Sequence, residues 1–174
     1  MDIEKRFSLE TRSKGRTLYG YAAVFNSEAD IFDFKETVKP GAFKRSLASG
    51  NDILCLCDHD ASRVLGRSKS GTLKLYEDTK GLGFEVSVPS TTWGSDILEL
   101  VQRGDAGGCS FAFTLPPGGD SWDGNRRSLV DVTLHEISIV AAVPAYRDTM
   151  VSARSRRGIP SPRLNLARKF LETL

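Results

Sequence analysis

Histidine is almost missing from this chain: His59 and His135 are the only two in 174 residues. Chemistry that needs an imidazole must therefore use one of them. Cysteine is scarce too. Cys55, Cys57 and Cys109 make an odd count, which argues against a disulfide framework and for free thiols. No apolar run approaches the ~20 residues that span a bilayer, so no membrane partner is expected. The opening MDIEKRFSLETRS alternates charged and apolar residues and has no apolar core. It does not read as a signal peptide, and a cytosolic location is expected. There is no internal repeat.

What is present fits one globular domain with a tail. Hydrophobic residues are 40% and charged residues 26% of the chain, enough apolar material for a sizeable core. The net charge of +2 hides an asymmetry. Residues 151–174 carry six basic residues against Glu172, or +5, leaving 18 basic against 21 acidic, or −3, in residues 1–150. The expected division is a folded body over 1–150 and a basic linker with a short amphipathic helix over 151–174. In that tail Leu164, Ala167, Leu171 and Leu174 stand near helical spacing beside Phe170.

The body reads mostly as strands. RFSLET and TLYGYAAVF look like a hairpin around Ser13-Lys14-Gly15. KPGAFKRSLASG suggests a short helix ended by Gly50. DILCLCDHD reads as a buried strand, and TLKLYED with LGFEVSVP as a hairpin. STTWGSDILELVQRG is the strongest helix: Ser90, Thr91 or Ser95 can cap it and Gly104 stops it. CSFAFTL is a strand, DSWDGNRRS a turn-rich connector and LVDVTLHEISIVAAVP a long extended stretch. Many strands with two helices suggest an α+β fold, with a curved or closed antiparallel sheet flanked by helices.

Three places carry chemistry. His59 ends the CLCDHD strand between two aspartates, as a surface histidine or as a general base. Ser110 follows Gly107-Gly108 in GDAGGCSFAF, as a structural strand residue or as a nucleophile. In LHEISIV, His135 and Glu136 are adjacent, so on a strand they point to opposite faces. Glu136, Ser138 and Val140 share one face. An inward carboxylate there needs a partner, either an imidazole N–H or an arginine.

Six blocks then occur in order: GYAAVFNSEAD, KPGAFKRSL, DHDASRVLGRS, GTLKLYEDTKGLGFEVSVP, LVQRGDAGGCSFAF and LHEISIVAAVPAY, covering roughly residues 3–150. In this order they resemble the prohead maturation proteases of tailed bacteriophages, a family related to the herpesvirus assemblin serine proteases. The resemblance implies a closed, mainly antiparallel β-barrel of about seven strands with flanking helices. It implies a catalytic set of His59, Ser110 and Glu136, with His135 the competing third member because the viral relatives use histidine there. Oxyanion donors would come from the backbone near Cys109 and Phe111, with Arg147 a substitute for the viral arginine pair. The implied activity is that of a serine endopeptidase without cofactor or metal. It would act in the host cytoplasm, inside the assembling procapsid. Its partners would be the major capsid protein or its scaffold segment, with self-cleavage and self-association also implied.

Three rivals stand beside that reading. Cys55, Cys57 and His59 share one strand face, and with Cys109 they have the ligand types of a zinc site, but zinc texts normally use turn-borne spacings. A non-catalytic assembly module could keep the fold without the activity. Nucleic-acid binding by the tail is disfavoured, since Phe170 is its only aromatic.

Overall fold

The computed structural model describes residues 3–8 and 10–141. The tail helix expected over 151–174 and Arg147 lie outside the described residues. In chain order the elements are β1 (Glu4–Ser8), β2 (Glu10–Lys14), β3 (Thr17–Val24), β4 (Glu28–Ile31), β5 (Phe34–Val38), α1 (Lys44–Ala48), β6 (Leu54–Cys57), β7 (Asp60–Arg67), β8 (Leu73–Glu77), β9 (Gly81–Ser87), α2 (Thr92–Arg103), β10 (Gly108–Thr114), β11 (Asp120–Asp123), β12 (Arg126–Leu129) and β13 (Thr133–Val140).

These strands build three sheets, ordered β1-β10-β13-β6-β7, β11-β12-β5-β4 and β2-β3-β9-β8. The expected closed, mainly antiparallel α+β barrel is not what the described residues form. Strands take 53% and helices 12% of the described residues, which are therefore mainly β. Closure needs one ladder continued around the full circumference. Here β1 and β7 stand at opposite edges of the central sheet and do not pair with each other. Two neighbour pairs, β13/β6 and β12/β5, run parallel. Register shifts at Tyr21/Ala23, Ala112/Phe113 and through Cys55–Cys57 bend individual strands.

Two local expectations also change. Only Glu10–Lys14 pairs with β3, while Glu4–Ser8 pairs with β10. The stretch expected to be a connector, DSWDGNRRS, forms the β11/β12 hairpin, whose second strand joins β5. The helices follow their signals. Thr91 Oγ1 accepts the Gly94 N–H at 3.3 Å, and Gly104 takes φ +80° at the other end of α2. Ile97, Leu98 and Val101 bury the inner face of this helix, against a core that includes Phe43, Phe84, Phe111 and Phe113.

Candidate active site

The site starts from the two-sided pattern of β10. Cys109, Phe111 and Phe113 enter the core, so Ser110 and Ala112 face the other way. Strand β13 lies antiparallel beside it. Ser110 is opposite Ser138 and Ala112 is opposite Glu136, which puts both serines and the carboxylate on one sheet face. The next partners are Phe113 and Leu134, so His135 is an extra residue at a β-bulge. Its side chain is exposed, and its Nε2 lies 2.9 Å from Thr114 Oγ1.

A two-residue turn joins β6 to β7 and carries the other histidine. Cys57 pairs with Asp60 across it, and Asp58 and His59 have φ +51° and +59°. Two successive non-glycine residues in the left-handed region are costly and persist only when their surroundings hold them. Four hydrogen bonds surround this turn. The Asp58 N–H donates to Ile139 O at 3.0 Å, and Asp58 Oδ1 accepts the Ala141 N–H at 2.8 Å. The His59 N–H donates to Ser138 Oγ at 2.7 Å, and that hydroxyl donates to Leu56 O at 3.3 Å.

So held, His59 places Nδ1 2.5 Å from Glu136 Oε1. Both side chains are largely buried, 17% and 18% exposed. A carboxylate accepts here, so in the neutral imidazole the proton sits on Nδ1 and Nε2 is the acceptor. That Nε2 is buried and has no hydrogen-bond partner among the described residues. Ser110 Oγ is in the same condition, and the one other such side-chain atom is Thr11 Oγ1 in β2. Buried polar groups without a partner are rare and call for an explanation.

The structure thus brings His59, Glu136 and Ser110 to one region and leaves His135 apart. The oxyanion candidates are placed less favourably. Cys109 and Phe111 lie where β10 is paired on both sides, to β1 and to β13, so the ladders engage their N–H groups. The three thiols are ill suited to nucleophilic work. Burial pushes Cys55 and Cys109 well up and Cys57 to about 11. No group of three or more metal-ligating side chains forms among the described residues. Sequence reasoning missed Ser138 and Asp58, the two side chains that hold the histidine turn. A serine between two isoleucines, and an aspartate in a two-residue turn, were the available signals.

A buried hydroxyl on the same face as an imidazole, itself held through Nδ1 by a carboxylate, is an arrangement found in serine hydrolases. Residues 4–161 match the family described as caudovirus prohead serine protease, and the chain belongs to that family. No curated protein and no solved structure matches it. The family is one of bacteriophage hydrolases of capsid maturation, which work with procapsid proteins in assembling shells in the host cell. No helix among the described residues is long and apolar enough to cross a membrane.

Proposed function

We propose that the chain is a serine endopeptidase whose nucleophile is Ser110, with His59 as general base and Glu136 as its orienting carboxylate. Its substrates are the scaffold or the N-terminal extension of the major capsid protein, and the protease itself. One observation supports this most strongly: His59 Nε2 and Ser110 Oγ are both buried and unpartnered, while Nδ1 is bound to Glu136. Thr11 Oγ1 is unpartnered as well, so what singles out these two is their place: an acceptor nitrogen backed by a carboxylate and a hydroxyl share one region, and a hydrogen bond between them on substrate binding would carry the proton.

Ser110 Oγ attacks the scissile carbonyl and His59 Nε2 takes its proton. The imidazolium is stabilised by Glu136, which also fixes the tautomer. His59 returns the proton to the leaving amine, and water then releases the acyl group by the same route.

The test is incubation of purified protein with its capsid precursor, followed by mass spectrometry of the products. Ser110→Ala should abolish cleavage and leave the melting temperature within a degree or so, because the lost hydroxyl has no partner. Normal cleavage by that variant would refute the assignment. Binding of the precursor without cleavage by the unaltered chain would make it an assembly module instead.

A further inference from the structure

The proposed catalytic set occupies one side of Ser110 and leaves the other side to a neighbour of a different kind. On the β13 side its neighbour is Ser138, and the His59 turn lies on that serine. On the other side lies β1, the edge strand of the central sheet. Phe7 of β1 stands directly opposite Ser110, and Lys5 stands opposite Ala112. Alternation puts both on the Ser110 face, while Glu4 and Arg6 turn to the other.

Phe7 is aimed at the serine's surroundings. A Cβ on Gly108 would collide with the Phe7 ring and with Val140. The ring therefore lies across Gly108, two residues before Ser110 on the same face, and beside Val140. Phe7 is half-buried and Lys5 exposed, whereas Ser110 is 0% exposed. A substrate carbonyl reaches Oγ only by displacing a neighbour, and on the β1 side that neighbour is Phe7.

We infer that Phe7 and Lys5 set the cleavage preference of this protease, an inference that rests on the catalytic reading above. Phe7, which covers Gly108 beside Val140, gives way to the substrate and packs against a large apolar side chain next to the scissile bond. Lys5 receives a carboxylate two residues along the substrate. The spacing fits: Lys5 and Phe7 are two residues apart on one strand, about 7 Å, as are alternate residues of an extended peptide. The substrate class is thus an extended segment with an apolar and an acidic residue at alternate positions.

The test is a peptide library digested by the full-length protein and read by mass spectrometry, for wild type, Phe7→Ala, Phe7→Leu and Lys5→Glu. Labelling of Ser110 by a fluorophosphonate is followed in parallel. Phe7→Ala should lower kcat/KM about 10- to 100-fold for sites with a large apolar residue and far less for sites with alanine there. Phe7→Leu should keep most of the apolar preference. Lys5→Glu should exchange acidic for basic preference at the alternate position, by about tenfold. If Phe7→Ala fails to fold, Lys5→Glu still decides. Labelled Ser110 with a cleavage profile unchanged in the variants would overturn this inference alone. An unlabelled Ser110 in wild type would instead overturn the catalytic reading, and this inference with it.

Discussion

The two faces of the central sheet handle buried polarity in opposite ways. On one face Glu4, Arg6, Glu36 and Arg127 are buried together, and every charge is answered. Arg6 Nη2 donates to Glu4 and Glu36 at 2.8 and 2.7 Å, and its Nε pairs with Glu36. Arg127 reaches Glu4 at 2.6 and 2.9 Å, Glu36 at 3.1 Å and Asp120 at 2.8 Å. On the other face Ser110 Oγ and His59 Nε2 have no partner among the described residues. Phe7 and Arg6 are consecutive in β1 yet serve different faces. The contrast teaches where to look for chemistry: a satisfied cluster holds sheets together, and an unsatisfied one is poised to bind or react.

If the contrast is right, damage to the two faces should show in different measurements. The largest effect expected is on the Ser110 face. Glu136→Gln should keep the shape but weaken the imidazolium, lowering turnover by about 10³- to 10⁴-fold with little change in stability. Cleavage kinetics beside a denaturant titration read both; if His135→Ala produced that loss instead, the third member would be His135. On the other face, Arg127→Met should leave two buried carboxylates, Glu4 and Glu36, sharing Arg6 alone. A loss of about 3–5 kcal/mol in unfolding free energy is expected, with activity falling only as the folded fraction falls.

Ser138→Ala lies between these cases. It takes the acceptor from the part-buried His59 N–H, so about 1–3 kcal/mol of stability should be lost together with turnover. A variant that loses stability but keeps full turnover would show that this hydroxyl does not position His59. Acid should act on the ion cluster. Burial raises the Glu4 pKa, but hydrogen bonds and charge from Arg127 and Arg6 outweigh it and hold the carboxyl below its ordinary value of 4.5. A depressed carboxyl contributes stability above its unfolded pKa and loses it as pH falls through the folded one. Unfolding free energy should therefore drop below about pH 4, less steeply in Glu4→Gln. The smallest effect is His135→Ala. Its exposed side chain at the bulge should matter by no more than about 0.5 kcal/mol, with turnover unchanged.

The elements with local signals were legible in the sequence. Thr91 and Gly104 bound α2 because capping and left-handed termination are short-range effects. The alternation of EISIV sets Glu136 and Ser138 apart from Ile137. Long-range pairing was not legible. The parallel neighbours β13/β6 and the open sheet edges depend on contacts between distant segments, so a closed barrel could not be told from three sheets. Arg127 explains the missed hairpin: DSWDGNRRS is polar enough for a loop, but pairing with β5 and the buried carboxylates hold it as a strand. Strict alternation would have put His135 in the core with Ile137. The bulge that turns it outward leaves no local mark.

The central claim is that Ser110 is activated by His59. Full-length protein treated with a fluorophosphonate and digested for mass spectrometry tests it most directly. A single adduct on Ser110, lost in His59→Ala while that variant remains folded, is the predicted result. An adduct elsewhere, or labelling of Ser110 that is indifferent to His59→Ala, would contradict it.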